Sequence, residues 1–110
     1  MKTYIGERHG DSALTRVLVD DGTVRAPLGH DVKHSPTGFE WGYAGSGPSE
    51  LARCILIDYL EGAGQKEEMD WVEANYQAFK FDVVAGLPKE GFELTEQQVS
   101  GWAEAKGTAP

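Results

Sequence analysis

The sequence SPTGFEWGYAGSGPSELARCILIDYL, residues 35–60, decides the fold. Phe39, Trp41 and Tyr43 alternate with small or charged residues, which predicts a strand with three aromatic side chains on one face. A glycine-rich hinge follows and ends this strand. Residues 48–60 then carry little polar surface, so we expect a helix that is buried on most sides at the centre of the domain.

This central helix has recognisable ends. Pro48 suits a first helical position, and Gly62 is predicted to lie just past the end, at the C′ position. The only cysteine, Cys54, lies among apolar residues, which predicts a buried thiol. The polar strip of the helix is predicted to be Glu50, Arg53, Asp58 and Glu61.

The preceding residues predict a hairpin. Residues 15–20 and 23–26 are rich in β-branched side chains and flank Asp21-Gly22, a pair typical of a type I′ turn. Residues 2–6 predict a first strand. Together with the aromatic strand, they indicate one antiparallel sheet.

The following residues predict two more helices. Residues 67–85 predict a long helix, and one apolar stripe at helical spacing runs from it to Leu87, formed by Val72, Tyr76, Phe79, Val83 and Leu87. Residues 92–94 predict a short strand or an extended segment, and Thr95 with Gln98 is a capping box for the last helix. The predicted fold class is therefore α+β, an antiparallel sheet of three to four strands packed against three helices.

The length of 110 residues fits one domain, 1–110, with a sheet-rich part at 1–45, a helical part at 46–106 and a frayed tail at 107–110. One cysteine excludes a disulfide within the chain. No apolar run reaches the roughly 20 residues that a membrane span needs, and residues 1–10 do not resemble a signal peptide. We therefore expect a cytoplasmic protein.

Charge is distributed unevenly along the chain, whose net charge is −8. Residues 1–57 hold 7 acidic and 6 basic side chains, whereas residues 58–110 hold 11 and 4. Direct binding of nucleic acid needs a basic surface, so this composition argues against it. An acidic surface fits instead a partner protein that presents a basic one.

The acidic side chains are densest where the second helix begins. A rigid array of carboxylates there resembles a row of phosphates and could occupy a groove built for nucleic acid. Simple solvation of a helix face is the alternative interpretation. The residues predicted to face the partner are Asp58, Glu61, Glu67, Glu68, Asp70 and Glu73.

The hinge offers an alternative site. A helix N-terminus with small residues can hold an anion or a nucleotide, and the residues there are Gly45, Ser46, Gly47 and Ser49. Against this, Pro48 removes one donor, Glu50 is itself an anion, and no lysine follows as it does in a P-loop. The other interpretation is a close-packed connection.

Other constellations predict no chemistry. Metal-capable side chains gather at His30, Asp31, His34 and Glu40, but Gly29 and Pro36 bracket the histidines, so a helical metal clamp is not expected. Serine, histidine and aspartate are present without a G-x-S-x-G elbow. We therefore expect no catalytic residue, no metal and no cofactor.

Three segments, HSPTGFEWGYAGSGPSELARCIL, YQAFKFDVVAGLP and FELTEQQVSGW, resemble a small uncharacterised domain family of bacteria, archaea, phages and plasmids. The resemblance covers roughly residues 1–104, and SPTGFEWGYAGSGPSELA is its most specific block. The family carries no established activity, so the resemblance implies no site residues. It implies a protein that travels with mobile elements.

The sequence therefore predicts a non-enzymatic, acidic binding protein. Its most specific form is a mobile-element inhibitor that occludes a basic, nucleic-acid-binding surface of a host defence complex such as a CRISPR effector. The alternatives are a small-molecule or nucleotide binder that uses the hinge, and a structural or dimerising accessory protein. We expect no membrane partner, and the sequence leaves monomer and dimer open.

Overall fold

The computed structural model of the protein describes residues 1–9, 14–34 and 38–107. It confirms the α+β class, with one four-stranded antiparallel sheet and three helices. The elements, in chain order, are β1 (Thr3–Arg8), β2 (Thr15–Asp20), β3 (Arg25–Pro27), α1 (Ser46–Tyr59), α2 (Lys66–Asp82), a 3-10 turn (Val84–Gly86), β4 (Gly91–Thr95) and α3 (Glu96–Ala105).

The strand order is β3-β2-β1-β4, so the first strand of the chain lies inside the sheet beside the last one. Tyr4 faces Leu94 across one ladder, and Gly6 faces Phe92. The Phe92 ring lies over Gly6: a Cβ atom built on this glycine would be 2.1 Å from Phe92 Cε2. The sheet thus needs glycine at this position, because the aromatic ring occupies the space of a side chain.

The predicted hairpin is confirmed, but its predicted turn type is wrong. A type I′ turn needs a positive φ at Asp21, and among the described residues the only non-glycine positions with positive φ are Glu61 and Ala63. Instead the Asp21 carboxylate accepts hydrogen bonds from the N–H groups of Thr23 and Val24, at 2.8 and 2.7 Å. The side chain closes the loop, as in an Asx turn.

One edge of the sheet is blocked by proline. The Leu28 N–H donates to the Val17 carbonyl at 2.9 Å, and hydrogen-bonded pairs alternate along an antiparallel ladder. Pro27 therefore turns its backbone away from β2, toward the open side. Since proline has no N–H, this edge lacks a donor there.

The predicted aromatic strand is wrong. Residues 39–45 form no strand, because Gly42 takes a φ of +83° and its N–H donates to the Val84 carbonyl at 3.1 Å. Phe39 and Trp41 are buried in the core, whereas Tyr43 is 44% exposed. The three aromatic side chains therefore share no face, although two of them pack in the core.

The central helix is confirmed, and α1 begins two residues before Pro48. Its predicted polar strip is partly wrong, since Glu50 and Arg53 are buried. The helix ends in a Schellman arrangement in which the Gly62 N–H donates to the Ile57 carbonyl at 2.8 Å. Glu61, with a φ of +55°, therefore occupies the C′ position that we predicted for Gly62.

The other two helices follow their predictions closely. Helix α2 ends at Asp82 and continues into the 3-10 turn, and its apolar stripe packs into the core. The capping box at the start of α3 is confirmed: the Gln98 N–H donates to Thr95 Oγ1 at 3.1 Å, and the Thr95 N–H donates to Gln98 Oε1 at 2.9 Å. No helix within the described ranges is long and apolar enough to cross a membrane.

Candidate functional site

Long-range contacts bring one end of every helix and of β1 together. The Lys2 ammonium donates to Asp58 Oδ2 at 3.1 Å, which places the end of α1 beside the start of β1. The Glu96 N–H donates to the Lys2 carbonyl at 2.9 Å, so α3 begins there too. Because α2 runs antiparallel to α1, with Glu73 beside Arg53, its first turn lies at the same end.

We call this region the acidic end. Within the described residues it gathers eight carboxylates and three basic side chains, whereas the opposite end gathers five of each. The acidic end holds Asp20, Asp21, Asp58, Glu61, Glu67, Glu68, Asp70 and Glu96 with Lys2, Arg25 and Lys66. The opposite end holds Glu7, Glu40, Asp82, Glu90 and Glu104 with Arg8, Arg16, Lys80, Lys89 and Lys106.

Two of the six residues predicted to face a partner form ion pairs and hydrogen bonds within the protein itself. Asp58, whose side chain is 29% exposed, accepts hydrogen bonds from the Lys2 ammonium and from the Tyr4 hydroxyl, the latter at 2.9 Å. Burial, and after it the Asp58 carboxylate, raises the pKa of Tyr4 above its usual range. This hydroxyl therefore stays protonated and remains a donor.

The second is Glu73, which lies near the middle of α2. It accepts a hydrogen bond from Arg53 Nε at 2.6 Å and another from the Lys33 ammonium. Its partial burial acts to raise the pKa of Glu73, but the hydrogen bonds from Lys33 and Arg53 outweigh this and hold the pKa below its usual range. Arg53 also pairs with Asp31, at 3.0 Å.

The other four predicted residues lie at the acidic end together with Asp58. Glu68 Oε1 accepts the Gln65 N–H at 3.0 Å and so caps α2. Asp70 pairs with Lys66 at 2.6 Å, and both side chains are largely exposed. Glu61 and Glu67 are exposed, and neither carboxylate has a hydrogen bond or an ion pair with the part of the chain that the structure describes.

The hinge is closely packed at the start of α1. A Cβ atom built on Gly47 would be 2.7 Å from Glu40 Cβ, and Pro48 and Ser49 are buried. Glu40 therefore lies beside the helix N-terminus, where it pairs with Arg8 at 2.5 Å. Gly45, Ser46, Gly47 and Ser49 lie together as predicted, and the geometry matches the close-packed connection more closely than an open anion site.

Sequence reasoning missed a buried carboxylate at Glu50, whose relative exposure is 0%. It accepts the backbone N–H groups of Lys33, at 2.9 and 3.0 Å to its two oxygens, and of His34, at 2.9 Å. His30 Nε2 lies 2.9 Å from the same carboxylate. The only signal in the sequence is an acidic residue near the start of a helix that is otherwise apolar.

The metal-capable residues do not converge. Among the described residues, no group of three or more histidine, cysteine, aspartate or glutamate side chains could hold a metal ion. His30 contacts Glu50, and His34 Nε2 lies 2.5 Å from the Tyr76 hydroxyl. Glu40 pairs with Arg8 at the other end of the sheet. The two histidines therefore fix the loop before α1 to helices α1 and α2.

Cys54 is buried, as predicted, with 2% exposure. It lines a cleft of about 370 Å³ with His30, Asp31 and Ile57. Burial raises the pKa of this thiol to about 11. Since the thiolate is the reactive form, Cys54 is a poor nucleophile near neutral pH.

A family model described as a family of unknown function, DUF6166, matches residues 4–105. The chain belongs to this family. A comparison with curated proteins and one with solved structures each gave no match. DUF6166 agrees with the predicted membership of an uncharacterised domain family. Its description assigns no activity, so functional roles in this DUF6166 protein rest on the geometry given above.

Proposed function

We propose that this DUF6166 protein is a non-enzymatic binding protein that docks its acidic end onto a basic surface of another protein. The observation that carries the proposal is the charge difference between the two ends, eight carboxylates with three basic side chains against five with five. This separation of charge gives the molecule a dipole moment, which orients it in the electrostatic field of a partner. A basic partner would meet the acidic end first.

The contact residues in this proposal are Glu61 and Glu67, supported by Glu68 and Asp70. Glu61 is held by the Schellman arrangement at the end of α1, and Glu67 lies in the first turn of α2. Both carboxylates are exposed, so docking would not first have to break an ion pair that the structure describes. Asp58 and Glu73 act differently, since they hold β1 and the loop before α1 in place.

The specific form of the proposal is inhibition of a host defence complex, with a CRISPR effector as the first candidate. The carboxylates would take the place of phosphates in a groove built for nucleic acid. The observation that supports this form is the acidic end, and the resemblance described in the sequence analysis, which implies a protein that travels with mobile elements, is the reason to choose a defence complex as the target. The mechanism is steric and electrostatic occlusion, and it should weaken as salt screens the charges.

The test measures target-DNA binding and cleavage by purified CRISPR effector complexes with and without the protein. We expect the wild-type protein to displace labelled DNA. The double variant Glu61→Lys/Glu67→Lys should lose this effect, because it reverses the exposed charges without touching the Glu68 cap. Raising the salt from about 50 to about 200 mM should weaken the wild-type effect, as expected for phosphate-like contacts.

A matched control changes the net charge equally at the opposite end. Glu90→Lys/Glu104→Lys also reverses two exposed carboxylates and should inhibit like the wild type. Equal loss in both double variants would mean that only the net charge matters, and it would overturn docking by the acidic end. If the wild-type protein leaves DNA binding and cleavage by the effector unchanged, the proposal that it is an inhibitor is overturned.

A further inference from the structure

The β4 strand forms an open edge of the sheet. Among the described residues it pairs with β1 on one side and with no strand on the other. It is short, running from Gly91 to Thr95, and Glu93 at its centre is exposed. An edge of this kind presents unpaired backbone groups to solvent.

The register shows which groups face outward. The Glu96 N–H donates to the Lys2 carbonyl, and hydrogen-bonded pairs alternate along an antiparallel ladder. Phe92 and Leu94 therefore bond to β1, while Gly91, Glu93 and Thr95 turn their backbone groups outward. The Gly91 and Thr95 N–H groups are already used, by the Pro88 carbonyl and by Gln98 Oε1. The Glu93 N–H and C=O have no hydrogen-bond partner on this edge within residues 1–9, 14–34 and 38–107.

A shallow groove borders the same edge. Its volume is about 440 Å³, and its walls include Ile5, Leu87, Pro88 and Glu93. The first three are apolar: Ile5 lies opposite Glu93 across the β1–β4 ladder, and Leu87 and Pro88 precede β4 in the chain. Backbone groups at an edge together with an adjacent groove for side chains are the two parts of strand-addition binding.

The acidic residues around Glu93 indicate which kind of strand could bind at the β4 edge. Glu93 is flanked by Glu90 and Glu96. If two copies paired through β4 in the register centred on Glu93, the two Glu93 side chains would lie directly opposite each other, and like charges at that position destabilise a strand pair. A basic residue opposite Glu93 would have the reverse effect. The edge thus disfavours a second copy of this chain and favours a basic peptide.

We propose that the β4 edge binds an extended, basic peptide segment, which adds to the sheet as a fifth strand. The segment would exchange backbone hydrogen bonds with Glu93, place a lysine or arginine opposite its carboxylate, and lay a side chain in the groove beside Leu87 and Pro88. This site is separate from the acidic end and goes beyond the function proposed above.

The test titrates the ¹⁵N-labelled protein with an acetylated and amidated Lys-Val-Lys-Val-Lys peptide. We expect saturable shifts in residues 91–95 and slower hydrogen exchange of the Glu93 amide. A peptide methylated at the backbone nitrogen of the central lysine keeps its charge but loses one ladder hydrogen bond. It should bind about tenfold more weakly, equivalent to about 1.4 kcal/mol.

Matched variants separate the edge from general charge attraction. Glu93→Lys should weaken peptide binding about tenfold, or about 1.4 kcal/mol, whereas Glu104→Lys, an equal charge change on α3, should weaken it by less than about twofold. Equal binding of the two peptides, or shifts confined to residues 61–70, would overturn the proposal. So would protection of the Glu93 amide without peptide that grows with protein concentration, because that indicates self-pairing.

Discussion

Glu50 is a buried carboxylate whose charge depends on hydrogen bonds from the loop before α1, and whose hydrogen bonds in turn hold that loop. Its carboxylate is fully buried and receives two backbone N–H groups from the loop before α1 as well as the His30 ring. A buried charge is tolerated only when such donors replace water. The side chain thus fixes the path of residues 30–34 across α1.

We expect Glu50→Gln to lower the free energy of unfolding by about 1–3 kcal/mol, because the amide replaces one acceptor oxygen by a donor that faces other donors. The measurement is urea denaturation followed by circular dichroism. Glu61→Gln, an exposed change past the other end of α1, should stay within about 0.5 kcal/mol of the wild type. Equal stability of the two variants would contradict the buried role of Glu50.

A second residue-scale prediction concerns acid. The hydrogen bond from Arg8 holds the pKa of Glu40 below its usual range, and Glu73 is shifted the same way. A carboxyl whose folded pKa is depressed stabilises the fold above its unfolded pKa, about 4.3, and loses this contribution as the pH falls through the folded value. The free energy of unfolding should therefore fall below about pH 4.5.

The measurement is urea denaturation at several pH values between about 3 and 6. Arg8→Gln removes the partner of Glu40 and should reduce the slope of stability against pH in this range. A slope that Arg8→Gln leaves unchanged would show that the Glu40 pair does not contribute to it.

At this scale the sequence predicted the nature of the side chains better than their partners. The burial of Cys54 follows from its apolar neighbours along the helix. The pairing of Asp58 with Lys2 does not, since 56 residues separate them. The burial of Glu50 was also out of reach, because a loop distant in the sequence supplies its donors.

Within the elements, Gly6 of β1 carries the sharpest steric requirement, since the Phe92 ring lies where a side chain would begin. Gly6→Ala should destabilise the protein by about 1–3 kcal/mol through overpacking. The matched change Gly101→Ala lies in α3, where nothing lies within 4 Å of the new Cβ. It should stabilise by about 0.5–1 kcal/mol, and thermal denaturation of both variants tests the pair.

Helices were easier to predict than strands because their periodicity and caps are local. The apolar stripe and capping box give α2 and α3 correctly to within a few residues. The alternation at residues 39–43 gave a strand that does not exist, since Gly42 with positive φ turns the chain. The fourth strand is formed by residues 91–95, where a short strand was one of the two predicted alternatives, and its partner is the start of the chain.

For the whole molecule, the sheet-rich and helical parts of the sequence share one core. Strand β4 pairs with β1, and the buried cluster contains Tyr4 and Val17 as well as Val72 and Val99. We expect fragments 1–45 and 46–110 to be unfolded separately, because neither can bury its apolar surface alone. Proton NMR spectra of each fragment should lack dispersion.

Mixing the two fragments should restore the dispersed spectrum of the intact chain. A folded spectrum from either fragment alone would contradict the shared core. The uneven charge along the sequence was visible from composition, but the acidic end was not fully predictable, because Asp20 and Asp21 join it from the first half of the chain.

Pro27 sets a limit on assembly. A β-sheet that extends from one molecule to the next needs two free edges on each molecule, one for each neighbouring molecule. Here the β3 edge lacks an amide donor at Pro27 and pairs poorly with another strand. A segment that binds at β4 is therefore the last strand of the extended sheet. Complexes formed through this sheet should therefore be finite, with a fixed stoichiometry, and should not polymerise into fibres.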